Sequence, residues 1–155
     1  VSEDQLEQSR EKAASEGREQ AMRVSFWEEG RGPFGTDWSI HIMNRSPDPV
    51  SGVTLAIIAD DDKVPGVLRL FSIGPCSETI YGSKDLYRLA NLEGLSDRLS
   101  VKFLRFTDRD GVAWQRTGAR LTPTTAKPQL PTSSYYQFLP QKAPVVKKLT
   151  VCDGS

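Results

Sequence analysis

Cysteine, histidine and net charge are what this sequence has least of. Two cysteines and one histidine in 155 residues are too few for a disulfide scaffold, and too few for a four-ligand zinc site drawn from one chain. A single bridge between Cys76 and Cys152 stays open, because sequence fixes neither their distance nor their redox compartment. Twenty basic and twenty acidic side chains cancel. That excludes the overall positive field by which nucleic acid or acidic lipid is gathered, so no nucleic-acid partner is expected. No run approaches the ~20 apolar residues of a membrane span, and the first residues carry no signal-peptide pattern, so this stretch is expected to be soluble. The length suits one domain with a core of its own. The chain starts at Val1, as a processed form or a piece of a longer protein would.

What is present is patterned for strands. Residues 99–116, LSVKFLRFTDRDGVAWQR, give the clearest local signal and predict a β-hairpin. Val101, Phe103, Leu104 and Phe106 lead into a turn, and Val112 and Trp114 alternate after it. Asp108 starts the turn by bonding its own backbone. Gly111 supplies a positive φ, as in a type I turn closed by a glycine bulge. Phe106, Asp108, Gly111 and Trp114 are the structural residues of this hairpin. Large apolar groups on both faces of its first strand predict a central strand or a local bulge.

Residues 1–23 predict a charged helical stalk. Ser2 followed by Gln5 makes a capping box, while Leu6, Ala13, Ala14, Ala21 and Met22 form only a thin apolar stripe that Gly17 interrupts. Spacer, stalk and weak self-association through this helix are the roles such a stripe allows. From Val24 the period changes to two. Val24, Phe26 and Trp27 open a strand; Trp38, Ile40 and Ile42 alternate in a second; Val53, Leu55, Ile57 and Ala59 form a third. Residues 67–73 and 78–81 are further candidates, and residues 84–92 fit either a helical turn or a strand with a loop. Five of the ten prolines lie in residues 123–144, so residues 121–155 predict an extended, irregular, Pro-rich tail that docks back, with residues 145–151 as a candidate added strand. Tyr135, Tyr136, Phe138 and Leu139 interrupt its polarity and are its candidate partner contacts. The expected fold is mainly β: an antiparallel two-sheet sandwich of immunoglobulin/fibronectin-like type over residues 24–120, with an N-terminal helix and that tail.

Four features, EQAMRVSFW at residues 19–27, NRSPDPVSGVTL at 44–55, the pair Pro75–Cys76, and FTDRDGVAWQR at 106–116, together resemble a β-sandwich domain of uncharacterised actinobacterial membrane proteins. The likeness spans residues 19–120. It implies a sandwich that follows transmembrane helices and a charged juxtamembrane helix, and it brings no active site with it. The membrane helices themselves are not in this chain, and the tail after Leu121 departs from the pattern.

Letter matches to chemistry fail on context. Gly30, Gly32 and Gly35 spell GxGxxG after a strand, but a second strand and not a helix follows, so no helix N-terminus meets a pyrophosphate. Asp60, Asp61 and Asp62 lack the spacing of an EF-hand loop and predict a solvated turn. His41 falls on the polar face of a strand with no nucleophile tied to it by motif, which predicts a surface histidine. The sequon at Asn44 is followed by Pro47 and is discounted. Trp27, Trp38 and Trp114 predict core packing before sugar stacking, and Lys142, Lys147 and Lys148 a solvated tail. These readings lead to a non-enzymatic protein–protein interaction module with no catalytic residue, no metal and no cofactor. Its expected site is membrane-associated at the cytoplasmic face, through a segment outside this chain, with a soluble cytoplasmic protein as the alternative. A carbohydrate- or small-ligand-binding sandwich is the other functional expectation, and it requires tryptophan or tyrosine on one exposed concave face.

Overall fold

The computed structural model describes residues 2–30, 39–59, 66–82, 86–88, 99–124, 136–140 and 143–152. One helix, α1 (Glu3–Met22), opens the chain. The Ser2 hydroxyl accepts the Gln5 N–H at 3.3 Å, and Glu3 and Asp4 sit in the first turn where the helix dipole favours acid. Residues 2–12 are all exposed. The last turns are different: Gly17, Gln20 and Ala21 are buried. The helix is therefore anchored at its C-terminal end, where an Arg116 Nη2–H donates to the Met22 carbonyl at 3.3 Å.

The strands form two sheets around a shared core. The smaller contains β1 (Val24–Glu29), β2 (Ser39–Asn44), β5 (Ser77–Gly82) and β11 (Val145–Lys148) in the order β1-β2-β5-β11. The larger contains β3 (Val50–Ala59), β4 (Gly66–Ile73), β6 (Leu86–Arg88), β7 (Leu99–Thr107), β8 (Ala113–Arg116), β9 (Leu121–Pro123) and β10 (Tyr136–Pro140), in the order β6-β10-β4-β3-β7-β8-β9. Pairing is antiparallel except between β10 and β4, which run parallel. The arrangement is β-sandwich-like. Ile40, Ile42, Leu55, Ile57, Leu68 and Leu104 are fully buried in its core, each on the inward side of a period-two alternation. β7 is a central strand, flanked by β3 and β8, and its register with β3 shifts between Ala56 and Ile57. Central position explains why Phe103 is buried as well as Leu104 and Phe106.

The segment expected as an irregular tail contributes three strands to these sheets. β9 and β11 lie at sheet edges, and β10 is inserted between β6 and β4. Its prolines do not prevent this, because Pro123 and Pro140 fall at strand ends, where a missing N–H removes little of the ladder. Local composition marked the prolines, while pairing with distant strands decided the outcome. In the ambiguous stretch, residues 86–88 are a strand and the flanking residues lie outside the described ones.

The β7–β8 hairpin has the predicted turn. Asp108 N–H donates to Val112 O at 2.9 Å and Gly111 N–H to Asp108 O at 3.1 Å, with Gly111 at φ +84. The Asp108 carboxylate accepts from Asp110 N–H and Val112 N–H on one oxygen, and from the buried Trp114 indole N–H at 2.8 Å on the other. Phe106 pairs with Trp114 across the strands. Val112, expected in the alternation, is 42% exposed and belongs to the turn.

This turn is where α1 docks. Arg109 N–H donates to Gln20 Oε1 at 3.0 Å, and the Gln20 amide donates to Ser46 Oγ at 3.2 Å. Asn44, fully buried, braces the same corner by donating to Asp48 O at 2.9 Å and Gly74 O at 3.1 Å. Gly17 is not a mere interruption of the helix, because a Cβ there would stand 3.1 Å from Asp108 Oδ2. Its missing side chain lets the helix approach the turn.

Candidate functional site

Two places concentrate side chains in ways that invite function. The first is on the outer face of the smaller sheet. Period two puts Ser39 and His41 on the outer side of β2, and Trp27 and Glu29 on the same side of β1. The register sets Trp27 opposite His41 and Glu29 opposite Ser39. His41 Nδ1 lies 2.6 Å from Glu78 Oε1, and its Nε2 is 3.1 Å from Ser39 Oγ and 3.4 Å from Glu29 Oε2. Trp27 stacks on the imidazole with ring centroids 5.0 Å apart and planes 15° from parallel. His41 is 8% exposed, which corrects the expectation of a surface histidine: it keeps the outer face, but the stack and its polar neighbours cover it.

Hydroxyl, imidazole and carboxylate in this order are the members of a nucleophile–base–orienter relay. With Nδ1–H given to Glu78, a neutral ring offers its Nε2 lone pair to the Ser39 hydroxyl, whereas the imidazolium would donate there to Glu29. Two features oppose acyl transfer. Glu29 contends for the nitrogen that would have to take the serine proton. The backbone of β2 is paired on both edges, with β1 and β5, so it aims no spare N–H pair at a developing oxyanion. The cluster joins β1, β2 and β5 across their polar face. Half of its signal was in the sequence, as the i, i+2 pairs Trp27/Glu29 and Ser39/His41. Glu78 comes from a distant strand and had none.

The second place is a cleft of about 700 Å³ between the β4–β5 turn and β11, with Leu70, Ile73, Tyr81, Pro144, Val146 and Leu149 in its lining. Burial pushes the Tyr81 phenol above its ordinary value near 10. Of the apolar side chains here, Val146 lines the cleft and is 61% exposed; Val145, in register with Ile80, is 57% exposed on the other face of β11, and Phe71, between the lining residues Leu70 and Ser72, is 78% exposed. Phe71 also holds a φ of +66 opposite a register shift in β3 that contains Gly52 at +56. A bulky residue in the left-handed region, turned to solvent inside a strand, is unusual. β11 pairs with β5 and ends the smaller sheet, so no described strand covers its other edge.

The sequence-predicted contacts distribute unevenly. Tyr135 lies outside the described residues. Tyr136, Phe138 and Leu139 are on β10, whose backbone is bonded on both edges, to β6 and to β4. Phe106, Asp108, Gly111 and Trp114 come together in the hairpin as expected. Trp114 is 6% exposed in the core, Trp27 packs on His41, and Trp38 is outside the described residues. So are Gly32, Gly35, Asp60, Asp61, Asp62 and Lys142, while Lys147 and Lys148 are on β11. Among the described residues no group of three or more His, Cys, Asp or Glu side chains is arranged to hold a metal ion, and no helix is long and apolar enough to cross a membrane. Comparison of the chain with protein-family models, with curated proteins and with solved structures returns no match.

Proposed function

We propose that the chain is a non-enzymatic interaction module that receives an extended apolar segment of another protein, flanked by acidic residues, beside β11 and into the cleft next to it. One observation carries this reading: an apolar cleft adjoins a strand whose outer edge no described strand covers. A strand added at that edge would satisfy its main-chain groups and set alternate side chains toward the cleft. Lys147 and Lys148, both exposed, give the positive charge that an acid-flanked segment complements. The reading includes an immunoglobulin/fibronectin-like type for the sandwich. It also includes a position at the cytoplasmic face of a membrane, supported by the resemblance of residues 19–120; co-sedimentation of the native full-length protein with membranes tests that part.

Peptide display against the whole chain tests the binding itself. Apolar peptides with acidic flanks should enrich, and Val146→Glu should weaken them by about tenfold or more. No enrichment, or enrichment indifferent to Val146→Glu, overturns the proposal.

A small apolar ligand is the second reading, favoured by a cleft volume inside the roughly 300–1,000 Å³ of small-molecule pockets. Tyr81 would supply its polar contact. Of the tryptophans, Trp114 is in the core, while Trp27, expected there too, is partly exposed on the outer face of β1 beside His41.

A further inference from the structure

We propose that Cys76 and Cys152 are partners in a disulfide that fastens the end of the chain to the β4–β5 turn. They are the chain's two cysteines, far apart in sequence, and the fold brings them to one carbonyl. Cys76 N–H donates to Ser46 O at 3.0 Å, and the Cys152 sulfur lies 3.6 Å from that same oxygen and 3.1 Å from Arg45 O. Cys76 Sγ faces the segment that carries its partner, 3.8 Å from Leu149 O, while Leu149 N–H donates to Cys76 O at 3.0 Å.

Cys76 is also held in an uncommon conformation, φ +51, by backbone bonds to the 44–48 turn on one side and to Leu149 on the other. Such a residue persists where its surroundings fix its direction. Thiol-to-carbonyl contacts such as these are weak. Both cysteines are thiols of intermediate exposure, within reach of a small oxidant. His41, the chain's one histidine, is committed to the outer face of β2, so a bridge suits the pair better than an ordinary zinc site.

The reaction is thiol–disulfide exchange with an external small-molecule disulfide such as oxidised glutathione. One cysteine thiolate attacks that disulfide, forming a mixed disulfide and releasing one glutathione thiolate. The second cysteine, as thiolate, attacks the protein sulfur of the mixed disulfide and releases the other. Two protein thiols lose two protons and two electrons, the glutathione disulfide gains them as two thiols, and one S–S bond replaces another.

The test is oxidation of the whole chain by oxidised glutathione, alkylation of remaining thiols, and peptide mapping without reduction. The expected result is one cross-linked pair joining Cys76 to Cys152 in a monomer lighter by two hydrogens. Its melting temperature should rise by roughly 5–15 °C, because the closed loop is long, and dithiothreitol should reverse the rise. Cys76→Ser and Cys152→Ser should each melt like the reduced parent, indifferent to dithiothreitol. Both cysteines alkylated after oxidation, stable glutathione adducts, a disulfide-linked dimer, or a bridge without any change in melting would overturn the proposal. These readouts are independent of peptide binding.

Discussion

The corner where α1 meets the β7–β8 turn and the cleft beside β11 are built on opposite principles. In the corner, buried polar groups answer one another: Asp108 takes the Trp114 indole and two backbone N–H groups, and Gln20 spans the 44–48 turn and Arg109. In the cleft, apolar side chains stand open: Leu70, Ile73, Val146 and Leu149 line it, and Val146 faces solvent. A dense polar knot specifies one geometry, whereas uncovered apolar surface keeps free energy that binding can release. Both regions touch the β4–β5 turn, yet only one is equipped to meet something else.

The contrast can be broken from the corner. Asp108→Ala should have the largest effect, about 3–5 kcal/mol of stability in urea unfolding, because it orphans the buried Trp114 N–H and two backbone donors together. Gly111→Val should cost about 1–3 kcal/mol through backbone strain alone, since no atom lies within 4 Å of the position its Cβ would take. Neither change should alter peptide affinity where the chain remains folded.

The cleft side gives smaller effects on stability. Its Tyr81 has a native pKa raised by burial, so in alkali the unfolded chain releases the phenol proton first and binds fewer protons than the native one. Stability should therefore be full below pH ~10 and fall from there up to the raised native value, and Tyr81→Phe should remove that part of the alkaline loss in unfolding curves. Val146→Glu, at an exposed position, should shift stability by less than ~0.5 kcal/mol while weakening peptide capture by about tenfold or more. A large stability loss from this variant would show that the two regions are not separate in kind.

The same contrast explains what could be read from the sequence. The hairpin was legible because Phe106, Asp108, Gly111 and Trp114 lie within one short stretch, so turn chemistry and alternation determine it locally. Helix capping by Ser2 was legible for the same reason. Gly17 was misread as a flaw in the helix, since its purpose depends on Asp108, which is distant in sequence. The cleft was only half legible: residues 145–151 are a candidate strand by their apolar content, but no periodicity announces that β11 pairs with β5 so far away. The His41 cluster fell between the two, with same-strand neighbours visible and Glu78 hidden.

One consequence of Gly17 concerns mechanics. A helix of twenty residues is about 30 Å long, and this one is gripped at one end by Gln20, by Arg116 on the Met22 carbonyl and by the glycine's close seat on Asp108. It is a lever with its fulcrum at the hairpin. A load on its free end becomes a torque at Gln20 and Arg109, so the direction in which the helix is held sets the direction in which the sandwich, and with it the cleft, must face.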